Sequence, residues 1–337
     1  MLSVPHPVHT CACARSCHTI AIVFAGFIAA LLGCPSARAA DGTWTGGSLA
    51  NGNWSSALNW LSGTVPGATS GTTNPDIATF NAAIANTWGN TAVNPIVIDA
   101  NRNIRGINFT GAAGNYFIGA TGGNAILLSN GGAIEILYST NAINAIIGTI
   151  NAPLVIQGAN GTYTFANNTF ATRDSNARAG TLVFGGGITG GASGATVLTL
   201  SGGNTNANTI SGVIANGAAT TMALTKRGGG TWTLSGANTY TGGTTVSGGT
   251  LQVASGGSIT HTSASMVVGS LSGDNGTLNI TGGAVSNTTG YLGRNAGSSG
   301  TATVSSGTWT NSSDLYVGSS GTGTLNITGG AVSNSTG

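Results

Sequence analysis

Charge is what this chain has least of. Asp, Glu, Lys and Arg supply 5% of its 337 residues, against about 25% in ordinary soluble domains. No Lys/Arg cluster exists to hold nucleic acid, and no polybasic run marks an anionic lipid surface. Cysteine is confined to Cys11, Cys13, Cys17 and Cys34, so the remaining chain has neither a disulfide framework nor a cysteine zinc site. Aromatics are 6%, which excludes a core built on large rings. Disorder would need apolar residues to be scarce as well, and they are not: 40% are hydrophobic. What remains is small apolar residues alternating with Thr, Ser and Asn and punctuated by 58 glycines, a composition suited to narrow β-coils.

The first forty residues follow a different grammar. Arg15 and several histidines precede an apolar run from Ile20 to Leu32, and Pro35-Ser36-Ala37-Arg38-Ala39-Ala40 comes next. A basic start, a short apolar stretch and an Ala-x-Ala site predict a secretory signal peptide over 1–40, cleaved after Ala39 or Ala40. The run is too short for a permanent transmembrane helix. Leu31-Leu32-Gly33-Cys34 offers a second reading, a lipoprotein box in which lipidated Cys34 anchors the chain. Pro35 fits poorly after a lipidated Cys, and the Ala-x-Ala site favours ordinary cleavage. Without Arg15 and Arg38, seven basic residues balance seven acidic ones, so electrostatic steering recruits no partner.

The C-terminal third repeats itself. Residues 276–290 read GTLNITGGAVSNTTG, and residues 323–337 differ from them only in having Ser335 where the first copy has Thr288. A diverged copy starts at Gly300, so the starts Gly276, Gly300 and Gly323 lie 24 and 23 residues apart. Val267-Val268-Gly269, Tyr291-Leu292-Gly293 and Tyr316-Val317-Gly318 keep the same rhythm. Such a period marks a solenoid. Each unit holds three short alternating runs, in the first case Thr277–Ile280, Ala284–Ser286 and Tyr291–Leu292, separated by turn residues that leave no room for a helix. The expected fold is all-β, a parallel β-helix, right-handed by the crossover rule. About 24 residues per coil predicts about twelve coils, a rod on the order of 60 Å at ~4.8 Å per rung. Alternation sends Leu278, Ala302 and Leu325 inward in one column, Ile280, Val304 and Ile327 in a second, and Val268, Leu292 and Val317 in a third. Thr277, Thr301 and Thr324 fall outside, where like polar residues stack.

Residues 224–253 use the same grammar in a distinctive order: Leu224-Thr225-Lys226, then Gly230-Thr231-Trp232-Thr233-Leu234-Ser235-Gly236-Ala237-Asn238-Thr239-Tyr240-Thr241-Gly242-Gly243, then Gly249-Thr250-Leu251-Gln252-Val253. This stretch resembles the autotransporter-associated β-strand repeat. The span Thr310 to Ile327 is similar to a second tandem surface-protein repeat. The resemblance implies a parallel β-helix, an extracellular or outer-membrane location in a Gram-negative-type bacterium, and no catalytic residues. No run of ten-residue alternating strands follows as a C-terminal barrel, so the chain is expected to be a truncated passenger, with membrane attachment only through a missing translocator or Cys34.

The domain reading is a signal peptide over 1–40, an aromatic-rich capping region over 41–95 and β-helix coils over 96–337, with tandem coils over 266–337. Trp44, Trp54, Trp60 and Trp88 suit a cap on the first coil, or alternatively a platform for sugar rings. The chain is expected not to be an enzyme. His261, in a Ser/Thr run, reads as a solvent-facing strand residue rather than a triad member. Asp76, Asp99, Glu135, Asp174, Asp274 and Asp314 are scattered, with no pair set for acid/base work. Asp274-Asn275-Gly276 reads as a turn, as does Gly228-Gly229-Gly230, which lacks the Lys-Ser/Thr and helix of a phosphate loop. No cofactor or metal is expected. The readings carried forward are a structural or adhesive stalk, a polysaccharide-binding or -modifying β-helix, and a spacer whose repeats assist passage across the outer membrane. Host or neighbouring-cell glycans or proteins are the expected partners, and Tyr291 and Tyr316 the candidate ligand-facing column.

Overall fold

The computed structural model describes residues 40–82, 88–110, 114–137, 146–169, 180–206 and 208–335. Ala39 and Cys34 therefore lie outside the described residues, as do the other leader residues before Ala40, and Asp174. The strands are short and pair in parallel throughout, one coil above another, and the chain is a parallel β-helix.

Three faces make up each coil. In chain order one coil runs through Thr221–Lys226 on face one, Thr231–Leu234 on face two and Ala237–Asn238 on face three. The next runs through Thr244–Val246, Gly248–Ala254 and Ser258–Thr260. The three faces belong to two continuous sheets, because some strands bend across a corner without losing their pairing. Asn275–Asn287 and Ser299–Asn311 join faces two and three, each with a register shift at the bend. Ile126–Ile136 joins faces three and one near the other end. Two of the three runs expected per unit are thus a single bent strand.

The inner columns form as their alternation dictates. Leu278 pairs with Ala302 and Ala302 with Leu325, while Ile280 pairs with Val304 and Val304 with Ile327. Val268, Leu292 and Val317 are likewise in register. Leu278, Ile280, Val268, Leu292, Ala302 and Val304 are fully buried, whereas Val317 and Ile327, on the last rung, are half exposed.

Coil length is where the expectation of a uniform repeat needs correction. Leu224 pairs with Thr244, Thr244 with Met266, Met266 with Gly290 and Gly290 with Leu315, so these coils take 20, 22, 24 and 25 residues. Upstream, Ile134 pairs with Phe165 and Phe165 with Leu200, steps of 31 and 35. Longer corner segments absorb the difference while the strands stay in register. Among the described residues face one carries eleven strands rather than about twelve, or on the order of 50 Å of stacked rungs.

The glycine after each of the last three face-one strands has a steric cause. Gly269, Gly293 and Gly318 all have positive φ, at 72°, 68° and 80°. A Cβ on Gly269 or Gly293 would also collide with the carbonyl of Ser299 or Thr322 on the following rung. Only Gly serves at that corner.

The parallel ladder already includes Gly42–Thr43 and Ile77–Phe80, so the aromatic-rich segment supplies first rungs of face one. Trp44, Trp54 and Trp60 are buried there, with Trp60 4.9–5.0 Å from the other two rings and Phe80 packed under all three. Indole N–H groups of Trp54 and Trp60 donate to the carbonyls of Pro66 and Trp54. The faces of these three rings are covered, which leaves no platform for sugar; Trp88 is half-buried.

The register fixes what two substitutions should do. Ile280→Asp places an unpaired carboxylate in a closed column and is expected to cost on the order of 4 kcal/mol. Thr277→Asp, outside on the same strand, should cost about 1 kcal/mol or less, and Ile327→Asp should resemble it because Ile327 is 52% exposed. Denaturant titration of the three variants measures this; equal losses for Ile280→Asp and Thr277→Asp would contradict the register.

Candidate functional site

The coils around 224–316 hold three places where polar or aromatic side chains converge: an outer tyrosine pair and two buried corners.

Tyr291 and Tyr316 pair across adjacent face-one strands, so rung spacing stacks their rings at 5.2 Å and 11°. The Arg294 guanidinium lies 4.8 Å from the Tyr291 ring centre. Tyr316 Oη donates to Asp314 Oδ2 at 3.1 Å. That hydrogen bond, and then the carboxylate's charge, raise the Tyr316 phenol above its ordinary value. The structure thus brings the two candidate residues together and adds Arg294 and Asp314. It also turns one face of each tyrosine ring against the other, so those two faces are closed to a sugar.

The corner after the Thr221–Lys226 strand holds a buried lysine, inward by alternation with Met222 and Leu224. Lys226 occupies an inward position, in register with Leu200 and Val246, and is 0% exposed. Its Nζ donates to the carbonyls of Arg227, Gly228 and Gly248 at 2.7, 2.8 and 2.9 Å. Three acceptors require three N–H bonds, which the ammonium has and the neutral amine lacks. Burial opposes that charge and pushes Lys226 down to about 7. Its role is to tie the glycine turn 228–230 to the next coil.

His261 corrects an expectation. It lies at the corner after Ser258–Thr260 and is 2% exposed, not solvent-facing. Its Nε2 is 2.9 Å from Thr244 Oγ1, which is 2.7 Å from Tyr240 Oη. The Tyr240 ring packs edge-on at 5.1 Å. The Thr–His pair has the chemistry of a nucleophile and its base, but Thr244 is 1% exposed and no substrate can reach its hydroxyl. Burial pushes His261 down to about 4 and lifts the Tyr240 phenol. One coil further on, the same corner holds Asn287, whose Nδ2 donates to Asn311 Oδ1 at 2.7 Å and whose Oδ1 accepts from Trp309 Nε1 at 2.8 Å.

The described carboxylates are dispersed. Asp76 accepts from the backbone N–H groups of Ala40 and Gly67 at 2.7 and 2.8 Å. Asp99 pairs with Arg102 at 2.5 Å. Asp274 Oδ2 accepts from the amides of Ser270 and Leu271 and closes the turn before the Asn275–Asn287 strand; the turn expected at Asp274-Asn275-Gly276 therefore falls earlier, because Asn275 and Gly276 already pair in the ladder. Burial raises the Glu135 carboxyl. Among the described residues no three His, Cys, Asp or Glu side chains converge as metal ligands. An open depression of about 280 Å³ lined by Thr73, Asn74, Pro75, Arg105, Ser129 and Asn130 brings together no pair of titratable groups.

Residues 224–253 match the family model described as the passenger-associated-transport-repeat. They span the buried Lys226, the turn 228–230 and the Tyr240–Thr244 corner, so the match covers one coil and its two linkages. It supports reading this segment as an autotransporter passenger repeat. No curated protein and no solved structure matches the chain.

Two substitutions test the corners. Lys226→Ala leaves three carbonyls without their donor and is expected to cost on the order of 3 kcal/mol, with faster amide exchange at Arg227 and Gly228. For His261, the folded value lies below the ordinary 6.5, so an unfolding chain takes up the proton first. Its contribution is complete above pH ~6.5 and falls away toward pH ~4, by at most on the order of 3 kcal/mol. Melting curves from pH 8 to pH 4 should show that acid loss in the wild type and a shallower one in His261→Gln.

Proposed function

We propose that this chain is the passenger of an exported bacterial surface protein, a rigid non-catalytic stalk that presents its outer faces to the surroundings. The observation that carries this reading is the passenger-associated-transport-repeat match lying in register within a continuous parallel β-helix. A solenoid of this kind gains a rung of pairing with each coil, so folding outside the cell can proceed stepwise from one end. Its cysteine-free coils need no oxidant to fold. The outer faces supply adhesion or spacing. The buried Thr244 and His261 and the dispersed carboxylates support the absence of catalysis.

The start of the folded chain supports ordinary cleavage of the leader. The Ala40 N–H is 2.7 Å from Asp76 Oδ1, and Asp76 is 5% exposed. Cleavage after Ala39 turns that N–H into an ammonium and the hydrogen bond into an ion pair. Cleavage after Ala40 removes it.

Two measurements test the proposal. The intact mass of the exported protein is expected to begin at Ala40; a start at lipidated Cys34 contradicts it. An epitope inserted in the exposed Ser319-Ser320 turn is expected to stain on intact cells of the producing bacterium. Staining only after permeabilisation would overturn the surface reading.

A further inference from the structure

Asp76 is a carboxylate at the head of an apolar column. It alternates inward with Ala78 and Phe80 and is 5% exposed. Its Oδ1 accepts from the Ala40 N–H at 2.7 Å and its Oδ2 from the Gly67 N–H at 2.8 Å. Its own amide donates to Asn74 Oδ1, and its carbonyl accepts from the Arg105 amide on the following rung. The carboxylate is therefore fixed from several sides. Among the described residues no Lys or Arg side chain pairs with it, and the Arg102 guanidinium is engaged by Asp99. A buried carboxylate held by neutral amides alone lacks the cation that offsets its desolvation.

Ala40 stands where that cation can arise. The segment it opens lies along the strand after Asp76: Gly42 pairs with Ala78 and Thr43 with Thr79. Asp41 Oδ1 accepts from the Ile77 amide at 2.8 Å, and the Trp44 amide donates to the Thr79 carbonyl at 2.8 Å. In the sequence Ala37-Arg38-Ala39 is an Ala-x-Ala triplet, which puts the cut immediately before Ala40. Water then adds across the Ala39–Ala40 peptide bond. Ala39 keeps the carboxylate, and the Ala40 nitrogen leaves as an amine that is protonated at neutral pH. The nitrogen that meets Asp76 as a neutral amide in the precursor meets it as a cation in the product.

The structure assigns Asp76 as the receptor for the α-ammonium that leader cleavage releases, so that processing latches the first rung of the β-helix. This rests on the cleavage argued above. Gly42–Thr43 pairs with Ile77–Phe80 alone, at the end of its sheet. A rung bonded on one side is the one most easily lost by local opening, and the latch sits at its outer end. The rung matters because it carries Trp44, whose ring lies 5.0 Å from that of Trp60 and packs on Phe80. Opening it uncovers the aromatic cluster that closes this end of the core. A chain still joined to its leader holds the rung by neutral hydrogen bonds; the processed chain adds an ion pair. Cleavage one residue later removes the nitrogen and with it the latch.

The test uses the processed chain beginning at Ala40. Its one lysine, Lys226, is buried, so an amine reagent applied to the folded chain reaches the α-amine alone, and mass confirms a single addition. Acetylation restores the neutral amide of the precursor. Reductive methylation adds similar bulk but keeps the positive charge. The expected result is several-fold faster hydrogen exchange at the Trp44 and Ile77 amides after acetylation, and rates near those of the unmodified chain after methylation. Asp76→Asn should abolish the difference between acetylated and unmodified chains and should speed acetylation of the α-amine several-fold. Equal exchange in the acetylated and unmodified chains overturns the proposal, as does an equal loss on methylation or a difference that survives Asp76→Asn. The two modifications need no substitution and decide the matter if Asp76→Asn fails to fold. An exported protein whose mass begins at Asp41 or Cys34 also overturns it. Intact-cell staining reads the surface assignment separately: a chain that fails to stain yet shows the acetylation effect upholds the latch and counts against display.

Discussion

Everything in this molecule depends on the hydrogen bonds between one rung and the next. Each parallel strand pairs with the strand a coil earlier and the strand a coil later, so a residue's neighbours are set by its position in the coil rather than by its chemistry. Like then meets like along the axis: leucine on alanine on leucine inside, threonine on threonine outside, tyrosine on tyrosine at the ridge. This excludes like charges from the columns, since repulsion would recur at every ~4.8 Å step. The scarcity of Asp, Glu, Lys and Arg follows from the architecture.

The corners obey a different rule. Faces repeat, but corners turn the chain and leave carbonyls and amides pointing away from the ladder. Where a corner is buried, those groups need side-chain partners. Glycine solves the problem sterically at Gly269 and Gly293. Lys226 solves it by donating to three carbonyls at once, and Asn238 by accepting from the Ile214 amide and donating to the Gly236 and Ser258 carbonyls. Asn287 and Asn311 instead bond side chain to side chain.

That division explains what could be read from the sequence. The face columns at 276–327 were legible because strict alternation and a 24-residue period leave one consistent register. The coil length upstream was not, because corner segments vary without disturbing the ladder, as the 31- and 35-residue steps around Phe165 show. His261 was misread because its run of Ser and Thr has no apolar signal. Its burial comes from Tyr240, at the end of the preceding coil, and from Thr244, which opens its own coil 17 residues earlier in the chain. Lys226 sits in plain alternation with Met222 and Leu224, and the pattern alone places it inside. Only its charge argues otherwise, and the three carbonyls that overrule the charge are invisible until the turn is built. The tyrosine column was legible as a pair, but the direction its ring faces point was not.

The same logic bears on how such a surface acquires function. In a globular enzyme, loops converge on a cleft and unlike residues are brought together. In a β-helix, a mutation changes one rung, and a binding surface grows by repeating a residue along a column. The threonines at 231, 250, 277, 301 and 324 span the family-matched segment 224–253 and the coils after 266, which otherwise differ in length and sequence. Duplication of one unit accounts for the match between 277 and 324 but not for its extension to 231 and 250. Inner positions on these strands vary freely among Trp232, Leu251, Leu278 and Ala302 at the same column. The outer threonine stays fixed while the core behind it changes from indole to methyl, so inward packing does not dictate it. What the column shares along its length is threonine beside threonine on adjacent strands, a cross-strand pair that stabilises the ladder itself, and face one carries the same pairing at Thr164, Thr199, Thr225 and Thr245.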